Sequence, residues 1–284
     1  MAKDELKIPV AFGLDGTRYV PEDIDHPVKG PMLLADALFD INLDAVKARK
    51  GYRRNDGVLV QSHFSMIGDV EAVAIWRAEN DPTHNEIVAK LCGLLDGAGS
   101  NVGVATNHPT QKVAVKKADG TSFPMPDVLE LWRCPKGTRY EWKREPETRL
   151  WVDAKRYIQP DLLGYDVNRR SAGPKNKAVI IEVIHHHPPE FETWQRLVEL
   201  STANHVVMFY FCSTAKAKGS AFGRFSYAAP ATNAPLMIRT AHYLLDGMLH
   251  KDGKPFALHS VHTPEEQYQA ILNEFDRAKT WMAK

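Results

Sequence analysis

The apolar positions change rhythm several times along the chain. Over residues 1–75 they come in short alternating runs, the period-two mark of strands with one buried face. VAFGLDGTRYV and NDGVLVQSHFSMIG each alternate around an Asp-Gly pair, a turn sequence that accepts positive φ and joins hairpin strands. Between them, PMLLADALFDINLDAVKARKG is spaced as a helix that ends at Gly51. A small β-rich N-terminal region is expected here.

From residue 81 the period lengthens. DPTHNEIVAKLCGLLDGAG sets Ile87, Leu91, Leu94 and Leu95 on one face and predicts a helix over 83–96. Thr83 and Glu86 stand as N-cap and N3 of a capping box, and His84 beside them is expected at the surface. Strand-like runs return from 110 to 185: KVAVKKADGTSF, LELWRC, RYEWKRE, TRLWVDAKRY, QPDLLGYDV and AVIIEVIHH. The last barely alternates, as suits a central strand buried on both faces. PPEFETWQRLVELSTAN predicts a helix over 189–203 with proline near its first turn, and HVVMFYFC another buried strand over 205–212. Two closing helices are expected, APLMIRTAHYLLDGMLHK and TPEEQYQAILNEFDRAKTWMAK, the second opened by a capping box from Thr263 to Glu266. This order predicts an α/β (α+β) chain, a mixed sheet flanked by helices. Its core spans 76–228, with a helical C-terminal extension over 229–284.

Bulk properties narrow the function classes. The 284 residues, 44% of them hydrophobic, suffice for a proper core. A net charge of +1, from 36 basic and 35 acidic residues, removes any global electrostatic argument for nucleic acid, so a basic surface has to be local. Three dispersed cysteines, Cys92, Cys134 and Cys212, exclude a Cys-x-x-Cys zinc ribbon and argue against a disulfide framework. No apolar run approaches the ~18 residues of a membrane span, and MAKDELKIPVAFG has no signal-peptide character. A cytoplasmic protein with no membrane partner is expected; self-association into a homo-oligomer stays open.

The candidate chemistry lies in QPDLLGYD and IIEVIHHH. Asp161 follows Pro160 at the start of one strand, and Glu182 sits inside the next. A carboxylate within VIIEVI is costly to bury without a cation. Two neighbouring strands with one carboxylate each can converge on Mg²⁺ or Mn²⁺, which needs oxygen ligands and keeps several waters. Such an ion activates water and steadies charge on a phosphodiester. The plain alternative for Asp161 is an Asx-turn at a strand start.

These residues carry a resemblance. Pro-Asp, a spacer, then Glu on a buried strand followed by a helix resembles the PD-(D/E)xK nuclease superfamily, in particular the branch around the competence protein CoiA. The resemblance spans roughly 60–215 and includes SHFS at 62–65. It implies a core of helix, three strands, helix and strand, with the three strands near 149–155, 157–166 and 178–186. It implies a metal-dependent endodeoxyribonuclease in which Asp161 and Glu182 hold the ion. His187 answers to a histidine five residues after the strand glutamate in some members, and His84 and Glu86 answer to a pair on the first helix in others. Two departures stand. The lysine expected two residues after the glutamate is Ile184, for which Lys155, Lys90, Lys177, His185 and His187 are stand-ins, and the cysteine ribbon of some relatives is missing.

Three further readings bear on this. His185 and His187 share one face of a continued strand and His186 the other, so a zinc hydrolase built on His185 and His187 is an alternative, without a His-Glu-x-x-His helix to support it. Arg169, Arg170, Lys175 and Lys177 between the two carboxylates, Lys155 before them, and Lys216, Lys218 and Arg224 after them are candidate phosphate contacts to DNA or RNA. Solvated strand edges blunted by lysine are the plain alternative. Finally, the fold can persist without the chemistry, as a catalytically inactive module that binds nucleic acid or a protein partner.

Overall fold

A computed structural model describes residues 8–282 except 14–16, 42–43, 69–72, 76–80, 117–118, 146, 169–171, 213–234 and 257–262. The N-terminal part is a five-stranded sheet with strands β1 (Ala11–Gly13), β2 (Arg18–Tyr19), β3 (Leu38–Phe39) and β4 (Ala45–Arg49). After a small ribbon of β5 (Tyr52–Arg53) and β6 (Leu59–Val60), β7 (His63–Met66) completes it. The two alternating runs about Asp-Gly are thus strand-rich, as expected. The helix expected up to Gly51 is not there. A short helix α1 (Lys29–Ala35) stops at Asp36, and the rest of that run becomes β3 and β4. Their residues Leu38 and Val46 pair with each other and bury against Ile24, Leu33 and Phe64, so sheet packing overrides the local periodicity. Strand β8 (Val73–Ala74) follows.

Helix α2 (Pro82–Ala98) buries Val88, Leu91 and Leu95. It leads into a long antiparallel pair, β9 (Val102–Lys116) and β10 (Ser122–Arg133). Next come β11 (Tyr140–Arg144), the short β12 (Leu150–Trp151) and β13 (Arg156–Ile158), β14 (Leu162–Asp166), β15 (Ala178–Ile184), α3 (Phe191–Thr202) and β16 (His205–Phe211). In the main sheet β11, β14 and β15 form an antiparallel meander, and β15 pairs in parallel with β16. A parallel pair needs a long crossover, which α3 supplies. The first strand of the meander is therefore 140–144, not 149–155. The latter stretch holds only β12, which pairs with β13 in a separate small sheet.

Strand β15 is buried along its whole length. Val179, Ile181 and Val183 join the layer with α2, while Ile180 and Ile184 join Trp194 and Leu197 of α3. Gly164 lets the meander close: a side chain there would run into the ring of Trp142 on the paired strand.

The C-terminal part departs most from expectation. The segment expected as its first closing helix is three strands: β17 (Leu236–Arg239), β18 (His242–Leu245) and β19 (Met248–Lys251). β18 and β19 turn at Asp246-Gly247, with φ of 50° and 79°, the conformation that an Asp-Gly hairpin turn requires. β18 pairs with β16, and β19 and β20 (Lys254–Pro255) extend the same sheet to seven strands. The free edge of β16 and the turn chemistry outweigh the helical spacing. Helix α4 (Pro264–Met282) forms as expected, with Thr263 and Glu266 in reciprocal capping-box hydrogen bonds. Its Ile271 and Phe275 complete the layer on α3. The chain is of mixed α+β class, and no helix among the described residues is long and apolar enough to cross a membrane.

Candidate metal centre

The register of the meander determines where its acidic residues fall. Arg144 of β11 pairs with Leu162 of β14, and Leu162 pairs with Ile181 of β15. One step further along each ladder sets Glu145 opposite Asp161 and Asp161 opposite Glu182. Residues directly opposite in an antiparallel ladder project to the same face, their Cβ atoms about 5 Å apart. Three carboxylates therefore stand in one row across the strand ends. Like charges so placed repel, so the row favours either protonated carboxyls or a bound cation.

Contacts hold the row in place. The Val183 amide donates to Asp161 Oδ2 at 2.7 Å, and His84 Nε2 lies 3.2 Å from Asp161 Oδ1. The Thr148 hydroxyl donates to the Pro160 carbonyl and ties the segment after β11 to the residue before Asp161. Asp161 and Glu182 are buried, at 6% and 7% exposure. Glu182 Oε1 and Glu145 Oε1 are both enclosed and accept no hydrogen bond among the described residues.

The electrostatics follow from this. Burial raises the pKa of Glu182 well above the usual carboxylate value, and the neighbouring Asp161 and Glu145 charges raise it further. Burial, then Asp161, pushes Glu145 up to about 7, with His84 opposing. Without a cation both glutamates resist ionisation. A divalent ion would reverse that preference, and an all-oxygen donor set suits a hard ion such as Mg²⁺ or Mn²⁺.

Several sequence expectations need correction. The N-cap of α2 is Asp81, whose carboxylate accepts from the amides of Thr83 and His84. Glu86 is no capping-box partner and lies away from the carboxylate row, exposed and paired with Lys90 at 2.7 Å. His84 is buried rather than at the surface. β15 ends at Ile184, so strand alternation does not govern the histidines. His185 and His186, not His185 and His187, converge: His185 Nδ1 is 3.2 Å and His186 Nε2 3.6 Å from the two oxygens of Asp81. His187 is exposed.

Among the described residues, the candidate lysines do not gather around the row. Lys177 precedes β15 and pairs with Asp246 at 3.6 Å. It lies five residue steps of strand from Glu182, about 16 Å, and Lys175 lies two residues further back. Lys155 is exposed on the β12–β13 turn, where Asp153 accepts from its amide. Arg169, Arg170, Lys216, Lys218 and Arg224 lie outside the described residues. Ile184, where a lysine was expected, is buried among Trp194, Leu197 and Phe211.

Sequence reasoning passed over Glu145 and Asp81. The signal for Glu145 was present: three successive strand-like runs each carry an acidic residue at the same end of the meander, if RYEWKRE is taken as its first strand. Asp81 was legible as an N-cap, since aspartate followed by proline starts many helices. Compared with protein-family models, curated proteins and solved structures, the chain matches none.

Proposed function

We propose that this protein is a metal-dependent nuclease that hydrolyses phosphodiester bonds, with DNA as the first substrate to test. The observation that carries the reading is the enclosed, unpartnered Oε1 of Glu182 in a row with Asp161 and Glu145. A buried carboxylate oxygen flanked by two more carboxylates is a strong demand for a cation. With β9, β10, β12 and β13 set aside in other sheets, the order α2, β11, β14, β15, α3, β16 supports the resemblance to the PD-(D/E)xK superfamily, whose core runs helix, three strands, helix, strand. Asp161 and Glu182 would hold Mg²⁺ or Mn²⁺, with Glu145 completing the shell. A bound ion would supply charge to the attacking and leaving oxygens. His84, with Nε2 3.2 Å from Asp161 Oδ1 and Nδ1 3.2 Å from Asn85 Oδ1, is held between the two side chains and orients the Asp161 carboxylate.

The test is plasmid cleavage with Mg²⁺, with Mn²⁺ and with EDTA. Cleavage that needs the ion and disappears in Asp161→Ala and Glu182→Ala is expected. Equal cleavage in both variants sinks the reading. A second reading has its own support: Ile184 occupies the lysine position and is packed in an apolar layer, which favours a nuclease-like module that binds nucleic acid or a protein partner without cutting. DNA binding that needs neither metal nor Glu182 would favour it.

A further inference from the structure

A second group of metal-ligating atoms lies beside the carboxylate row and uses none of it. Among the described residues, Asp81, His185 and His186 bring one ligand atom each within 4.8 Å of one another. We propose that these three side chains bind a borderline divalent ion, Zn²⁺ foremost, in a site separate from the oxygen-lined one at Glu182.

Geometry comes first. Three ligands held about 2.1 Å from a tetrahedral ion stand about 3.4 Å from each other. His186 Nε2 stands 3.6 Å from Asp81 Oδ2, the oxygen the helix amides leave free, close to that spacing, and His185 Nδ1 stands 3.2 Å from the same carboxylate's Oδ1. The two imidazole rings are themselves in contact, 3.8 Å apart between centroids and tilted by 58°.

The donors suit the ion. Two imidazole nitrogens and one carboxylate favour Zn²⁺ over Mg²⁺, which prefers oxygen. The amides of His84 and Thr83 hold Asp81 in place and, with the His84 amide contributing most, lower its carboxyl pKa. It is therefore an anionic, oriented ligand. His185 is buried and fixed, while His186 is about half exposed and leaves a solvent-side path for the ion. With three protein ligands a fourth position stays open to water.

The site would join the start of α2 to the end of β15, about a hundred residues apart in sequence. His84, the partner of Asp161, sits in that same first turn. The ion would thus clamp the helix start against the strand that carries Glu182. This inference does not rest on nuclease activity.

Zn²⁺ titration calorimetry tests it. Wild type is expected to bind one equivalent. His186→Ala, at an exposed position, and Asp81→Asn, which keeps a good N-cap, should each weaken binding at least ~10-fold, since even loss of an outer-shell partner costs that much. The Asp161→Ala/Glu182→Ala double variant should retain it, and excess Mg²⁺ should not displace it. A visible Co²⁺ absorption band lost in His186→Ala would give the same answer by another route. No binding by wild type, unchanged affinity in His186→Ala and Asp81→Asn, or loss in the double variant would each overturn the proposal.

Discussion

Two buried glutamates in this protein have opposite surroundings. Glu274 of α4 meets His242 at 3.2 Å, Lys251 at 2.5 Å and Arg277 at 2.8 Å. The His242 hydrogen bond first, and Lys251 after it, bring its pKa down to about 2 against the opposing effect of burial. Glu182 on β15 is just as buried, but its neighbours are Asp161 and Glu145, and its pKa rises. The same side chain in the same fold is held ionised by cationic partners in one place and pushed towards its neutral form by carboxylates in the other. Glu274 is a structural ion pair that ties α4 to β18 and β19. Glu182 has no cationic side chain among the causes that shift its pKa, and its surroundings favour the neutral carboxyl. This contrast separates a carboxylate that serves the fold from one that costs the fold stability and is retained at a candidate site.

The contrast can be broken by substitution. The largest effect should come from Glu182→Ala or Asp161→Ala in a Mn²⁺-dependent cleavage assay. Loss of several kcal/mol of charge stabilisation lowers the rate by roughly three orders of magnitude, with the circular dichroism spectrum unchanged. Glu274→Ala should leave ion-dependent cleavage alone yet destabilise the protein by about 2–3 kcal/mol in urea unfolding. That lies at or below the usual cost of breaking a buried pair, because Lys251 and Arg277 are partly exposed. If Glu274→Ala is as stable as wild type, the cluster at α4 has been misread.

Glu182→Gln should act in the other direction on stability. A carboxyl whose folded pKa is raised costs nothing below its unfolded value, and destabilises progressively as pH rises above that value towards the folded one. In EDTA at pH 8 the glutamine variant should therefore be more stable than wild type by about 1–3 kcal/mol, the gap closing by pH 4. Glu274 has the opposite sign: its folded pKa is depressed, so its contribution is full above the unfolded value and is lost as pH falls towards about 2. A melting-temperature series from pH 3 to 8 on both variants reads the two signs directly. The smallest effect concerns Glu145. With its pKa near 7, Glu145 should add up to ~10-fold per pH unit to the rise of Mn²⁺ affinity below that value, because its proton must leave as well as any held by Glu182. Glu145→Gln should flatten that slope by one proton; an unchanged slope would remove Glu145 from the shell.

Much of the fold was legible where one signal acted alone. The apolar runs of β15 and β16, the amphipathic α3 between them, and the capping box of α4 are written locally. The failures came where two signals competed. HYLLDGMLH has helix-like spacing but also an Asp-Gly turn, and the edge of β16 decided in favour of strands. At the candidate site, Asp161 and Glu182 were readable because a carboxylate among apolar residues demands explanation. Glu145, His84 and Asp81 were harder, since each has an ordinary local reading as a strand end, a surface residue or a helix cap.

Taken by itself, the sequence determined which carboxylate could not be left unpartnered, because burial in VIIEVI is implied by its neighbours and desolvation penalises a lone charge. It determined the buried pair of strands and the helix between them, because their hydrophobic periods admit one solution. Only the tertiary structure decided what surrounds that carboxylate. Register across β11, β14 and β15 aligned three acidic side chains separated by up to 37 residues in the chain. The end of β15 at Ile184 turned His185 and His186, rather than His187, towards the start of α2. Both depend on which backbone groups pair across the sheet, a long-range choice that no local stretch of sequence encodes.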